Sequence, residues 1–195
     1  MRRIINFVLY AIILFLFLFY FQNREALWQQ FKYRYLKNGF KAEVEEFKKE
    51  PEEKPKEDLI IIPKIAIEAP LVLAKSEDEK DILKSLKNGA VMYPNFSLPA
   101  KKGRVVITAH SSGGREAGDY KSLFSLLDKL QKGNKILIYF KGQEYKYKVF
   151  ETKIINASDY EEVFKEREGS TLVLFTCWPL GTTFKRLVIK ARLVK

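Results

Sequence analysis

From Leu59 onward the chain is a succession of short apolar runs separated by turn residues, and this constrains the fold more than any other feature. LIII (59–62) is followed by Pro63 and KIAIEAPLVL. RVVITA (104–109), KILIYF (135–140), YKYKVFETKII (145–155), TLVLFT (171–176) and RLVIKARLV (186–194) follow. Each is strand-length, rich in β-branched and aromatic residues, and bounded by Gly, Pro or charged residues. Lys141-Gly142-Gln143 marks a hairpin turn between two of them. Two helices are expected between the strands. One has Ser76 and Glu79 as a capping box, Ile82, Leu83 and Leu86 as its apolar face, and Gly89 at its end. The other is capped by Asp119 or Ser122, with Leu123, Leu127 and Leu130 on one face and Gly133 beyond. Many closely spaced strands and few helices predict a closed or half-closed β-barrel.

The chain ahead of this domain has a different character. Ile4 to Phe21 is a run of 18 residues with Asn6 as its one polar member. At ~1.5 Å per residue it nearly matches a hydrocarbon core of roughly 30 Å. Arg2 and Arg3 precede it, which predicts a cytoplasmic N-terminus and an extracellular domain. QNREALW follows without a small-x-small cleavage site, so the run reads as a retained anchor rather than a signal peptide. Residues 24–50 read as helical. Leu27, Phe31 and Tyr35 recur at four-residue spacing, Asn38-Gly39 interrupts, and Phe40, Val44 and Phe47 resume the pattern. A stalk, a dimer seam and a cover for the domain all fit. EPEEKPKED (50–58) is a charged, proline-bearing linker. The expected organisation is an anchor over 1–23, a helical stalk and linker over 24–58, and a catalytic domain over 59–195.

The net charge is +11. Residues 22–58 are neutral, with nine basic and nine acidic side chains, whereas 59–195 hold 24 basic and 15 acidic. Such a domain is attracted to polyanions. Without a basic motif interleaved with aromatics, a nucleic-acid partner is not expected. One cysteine excludes an internal disulfide framework.

That cysteine, Cys177, ends the run TLVLFT, and the one histidine, His110, ends RVVITA. Arg186 opens a strand nine positions after Cys177. Strand ends hold a side chain on rigid backbone while leaving it open to a cleft. A thiol acts as a nucleophile when a base or cation promotes the thiolate. An imidazole can take that proton and return it to a leaving amine. A guanidinium or backbone N–H can stabilise the oxyanion of an acyl transfer. Cys177, His110 and Arg186 are therefore a sufficient set for cysteine-based acyl transfer. The competing reading is a membrane-tethered, non-catalytic basic module that binds anionic cell-wall polymer.

These segments resemble the sortase family. TLVLFTC carries the Thr-Cys ending of its signature at Thr176-Cys177, with Leu174 in the Leu position and Val173 where the family has Thr. CWPLGTTFKRLVIKARL is similar to its Cys-x-Pro-x-Gly-Thr…Arg-Leu-Val-Val-x-Ala pattern. GRVVITAHSS resembles its His-bearing strand, with Ala109 where Gly is common. LIIIPKIAIEAPLV and NGAVMYPNFSLP resemble its opening segments, so the likeness runs over 59–194. L,D-transpeptidases fit less well, since they place Gly just before the Cys and Arg soon after it. The sortase resemblance implies an eight-stranded, mostly β barrel with short helices, behind the transmembrane helix and stalk. It implies a transpeptidase that cleaves an LPxTG-like sorting signal through a thioacyl-enzyme at Cys177. His110 would serve as acid and base, and Arg186 would steady substrate and oxyanion. Thr176, Trp178 and Ala109 are expected to border the substrate. The implied partners are proteins bearing the sorting signal and an amine acceptor, either a cell-wall precursor or a pilin lysine. No metal or other cofactor is implied.

Overall fold

A computed structural model describes residues 1–36, 44–45, 55–99, 101–159 and 169–194. The expected break at Asn38-Gly39, Phe40 and Phe47, and the first part of the linker, lie outside the described residues.

Eight strands close into a barrel in the order β1-β2-β3-β4-β7-β8-β6-β5. They are β1 (Leu59–Ile62), β2 (Ile67–Leu73), β3 (Ala90–Met92), β4 (Gly103–Thr108), β5 (Lys135–Phe140), β6 (Gln143–Asn156), β7 (Ser170–Trp178) and β8 (Lys185–Leu193). Most neighbours are antiparallel, but β2–β3 and β4–β7 are parallel. Closure leaves the barrel without a free sheet edge. The interior is filled by alternate residues of each strand, among them Ile60, Ile62, Ile107, Ile136, Ile138, Leu172, Leu174 and Ile189. The turn joining β5 to β6 is the expected one. Lys141 and Gly142 both have positive φ (51° and 72°), as a two-residue hairpin requires.

Two expectations need correction. The helix α2 spans Glu79–Ser85 with Asp78, not Ser76, at its N-cap. The Ser76 hydroxyl donates to Asp81 Oδ2 (2.6 Å) and accepts from the Asp78 N–H (3.2 Å), so it braces the approach to the helix. The helix expected after Asp119 is a chain of tight turns ending in a 3-10 turn at Leu127–Lys129. Its backbone has tertiary partners: Phe124 N–H donates to the His110 carbonyl (2.8 Å), and the Ser125 carbonyl accepts from Gln30 Nε2 (2.6 Å). Groups spent in this way cannot complete an α-helical ladder.

Helix α1 is continuous from Arg2 to Tyr35, so the apolar run and the start of the stalk are one rod. At ~1.5 Å per residue its 34 residues extend about 51 Å. Its most apolar 18-residue window has a mean hydropathy of 2.6 and is unburied, which fits a single-pass membrane anchor. Past the apolar run α1 lies on the barrel domain. The side facing the domain is the stripe Asn23, Ala26, Gln30 and Tyr33, so this part of the segment acts as a cover for the barrel. Asn23 and Ala26 are buried, and Glu25 pairs with Lys121 at 2.8 Å. Trp28, Phe31 and Tyr35 stack on one another along the outward side. Small and amide side chains allow the close approach and hydrogen bonding that this packing uses.

Candidate active site

Cys177 lies within β7, one residue before its end, because Trp178 still pairs with Lys185 across the ladder. Its cross-strand partner is Arg186. A hairpin whose connection runs from Pro179 to Phe184 therefore accounts for the nine-residue spacing. On the other side, β4 runs parallel to β7 with Thr108 opposite Phe175. Continuing that register by two residues brings His110 level with Cys177. Two neighbouring strands and the segment that follows a third thus bring the backbones of Cys177, Arg186 and His110 to one height, although His110 is 67 positions from Cys177 in the chain.

Side-chain alternation puts the three on the barrel's outer face, which also carries Arg104, Lys190 and Arg192. Cys177, His110 and Arg186 are each half-buried. Thr176 and Ala109 belong to the inward face and are buried, at 2% and 3% exposure. The structure does not bring these two side chains to the outer face that carries Cys177, His110 and Arg186. Instead the Thr176 hydroxyl donates to the Ala109 carbonyl (2.7 Å), and the Thr108 hydroxyl donates to the Phe175 carbonyl (3.0 Å). These buried bonds lock the ends of β4 and β7 together, and with them the spacing of His110 from Cys177. Trp178 is half-buried against the core beside the thiol.

Arg186 is held from its own loop. Its Nη1 donates to the carbonyls of Thr183 (2.8 Å) and Lys185 (3.0 Å). A second tie joins this loop to the His110 segment, as Gly181 N–H donates to Ser112 Oγ (3.0 Å). Among the described residues, neither the Cys177 thiol nor the His110 ring has a hydrogen-bond partner, so both are uncommitted. No group of His, Cys, Asp or Glu suited to a metal ion occurs among them either.

Burial holds the His110 imidazole below its ordinary value near 6.5, and the Glu116 carboxylate pulls the other way. Neutral imidazole, the form that can accept a thiol proton, therefore predominates at neutral pH. Glu116 and Ser112 were not singled out from the sequence, since each is one polar residue in a loop with no periodic pattern. A folded-state pKa below the unfolded one means that the unfolded chain takes up the proton first. Stability is then lost as pH falls from about 6.5 through the folded midpoint. One histidine gives one proton-NMR titration curve. Its midpoint is expected below 6.5, and lower still in Glu116→Gln. A midpoint at or above the ordinary value would contradict control by burial.

The comparisons with known proteins agree with this architecture. Residues 60–194 match the sortase domain family, and the chain belongs to the sortase family. Sortase D of Bacillus subtilis (strain 168) is 26% identical over 147 residues, covering 74% of this chain and 67% of that protein. Sortase A of Bacillus anthracis is 28% identical over 135 residues, covering 69% of this chain and 58% of that protein. A solved structure of the pilus-related sortase C of Group B Streptococcus superposes with a TM-score of 0.59 at 29% identity, covering 75% of this chain and 70% of that one. Sortases are cysteine transpeptidases, typically associated with membranes.

Proposed function

We propose that this chain is a membrane-anchored transpeptidase that cleaves a C-terminal LPxTG-like sorting signal and passes the protein to an amine. Cys177 Sγ gives up its proton to His110 and attacks the carbonyl carbon of the Thr-like residue. The tetrahedral oxyanion is stabilised by the Arg186 guanidinium and by backbone N–H near Cys177. When the C–N bond breaks, His110 returns its proton to the departing amine, leaving a thioester on Cys177. An incoming amine, from a cell-wall precursor or a pilin lysine, loses its proton to His110 and attacks the thioester; the C–S bond breaks as the new amide forms, and His110 passes the proton back to the sulfur. Electrons and protons balance without a cofactor.

One observation supports this reading above others: Cys177 is paired directly with Arg186, and His110 follows the parallel neighbour of the same strand. An imidazole kept mostly neutral by burial suits the first proton transfer. Arg2 and Arg3 ahead of the apolar run favour a cytoplasmic N-terminus with the barrel outside.

The test is chemical. Protein is mixed with a library of sorting-signal peptides, quenched in acid and digested. A peptide fragment ending at the cleaved Thr-like residue is expected on Cys177 as a hydroxylamine-labile thioester. If cleaved peptide accumulates while every adduct maps away from Cys177, the mechanism is wrong.

A further inference from the structure

The loop between β7 and β8 meets the outer end of the apolar run. Gly181 sits so close to α1 that a Cβ there would lie 2.7 Å from Phe19 Cε2 and 3.2 Å from Asn23 Nδ2. Its φ of +79° also suits glycine. Phe19 is two residues, ~3 Å, from the end of the run at Phe21. Contacts further along α1 hold the helix in place: Gln30 Nε2 to Ser125 O (2.6 Å) and Asp128 Oδ1 (3.2 Å), and Glu25 with Lys121 (2.8 Å). The loop therefore lies at the level where the apolar run gives way to polar residues.

This same loop presents Phe184 at 75% exposure, with exposed Lys185 beside it. The ring is displayed on a braced backbone. Thr182 N–H and its hydroxyl both bond the Pro179 carbonyl (3.0 and 2.8 Å). The Thr183 carbonyl accepts from Arg186, and the Phe184 carbonyl accepts from Ala157 N–H (3.3 Å). A large apolar ring held out from a rigid loop, level with the end of a membrane span and next to a cation, has the chemistry of a bilayer interface. The ring suits the headgroup–acyl boundary and the ammonium suits lipid phosphate.

We propose that the β7–β8 loop is a second membrane contact, with Phe184 seated in the interface of the bilayer that α1 crosses and Lys185 at its phosphates. The occupant is lipid, on grounds of continuity with the apolar run and of charge. This rests on α1 being a membrane span, not on the catalytic reading. Its consequence is that Cys177 and Arg186, at the two bases of the loop, work at the lipid surface rather than a barrel's length above it.

Spin labels of known depth test this without any activity readout. The full chain with Cys177→Ala is placed in phosphatidylcholine–phosphatidylglycerol vesicles, and single cysteines are labelled at Phe184, Thr183, Phe15 and Gln143. Gln143 stands at the far end of the barrel, beside the β5–β6 turn. Labels at 184 and 15 are expected to relax more with oxygen than with a water-soluble nickel chelate, the 184 label being the shallower. The label at 143 is expected to show the reverse, and the one at 183 an intermediate ratio. The Thr183 variant keeps Phe184 intact in case the 184 variant folds poorly. Labels at 183 and 184 as nickel-accessible as 143, with 15 in lipid, would overturn the loop contact alone. A label at 15 in water would overturn the span and this contact with it. A 184 label shielded from both reagents would mean that protein covers the loop, which also overturns the proposal.

Discussion

Cys177→Ala is expected to lower cleavage and transfer of sorting-signal peptides by about 10⁴-fold or more, while leaving the barrel folded. The size follows from the chemistry. In the proposed mechanism the sulfur is the bond-forming atom, and no second thiol exists in the chain to replace it. The expected retention of fold follows from the location. Cys177 is half-buried at a strand end, and its pairing with Arg186 is made by backbone. Deleting one exposed-side atom leaves no core cavity, so thermal unfolding should scarcely move. Peptide binding should persist, because the substitution leaves Arg186, His110 and the backbone around position 177 in place. Peptide turnover by mass spectrometry and unfolding by circular dichroism check both halves. Near-normal turnover in the variant would rule out Cys177 as nucleophile. A membrane-tethered basic module that only binds wall polymer predicts otherwise: no turnover in the unmodified chain, and polymer adhesion indifferent to the substitution.

Much of this site could be read before any coordinates, and the exceptions have physical causes. A cysteine and an arginine nine apart, with Pro and Gly between two apolar runs, define a hairpin, and a hairpin's register follows from its loop. His110 is different. Its place beside Cys177 depends on the parallel pairing of β4 with β7, and nothing local encodes which strands become parallel neighbours. The family resemblance supplied that link. The eighth strand was hidden for a simpler reason: β3 is three residues long, too short to show alternation. The segment after Asp119 has helical spacing of leucines but spends Phe124 N–H on the His110 carbonyl, so a tertiary bond overrides a local pattern. On α1 the recurrence of Leu27, Phe31 and Tyr35 marks a helix but does not tell which side meets the barrel. Packing selected Asn23, Ala26 and Gln30, because a barrel loop could approach closely only over small or hydrogen-bonding side chains.

Arg186→Lys is expected to reduce kcat/KM by about 10²–10³-fold, with most of the loss in kcat. The proposed mechanism gives the arginine two tasks that one ammonium cannot share. Its Nη1 already bridges the Thr183 and Lys185 carbonyls, fixing the loop that follows Cys177. In the proposed mechanism the rest of the planar fork, on the residue paired across the ladder from Cys177, donates to the developing oxyanion while Nη1 stays in place. A lysine at this position keeps the charge but has a single nitrogen. If it binds the loop carbonyls it is withdrawn from the substrate, and if it reaches the substrate the loop loses its brace. Electrostatics alone would predict near-normal activity in the lysine variant, so the substitution separates charge from geometry. Steady-state kinetics on a sorting-signal peptide give the split between kcat and KM. Arg186→Ala supplies the complementary measurement, since added guanidinium ion should recover part of its rate if the fork acts on the oxyanion. Recovery without guanidinium, or wild-type kcat in the lysine variant, would remove Arg186 from the chemistry and leave it as a strut for the β7–β8 loop.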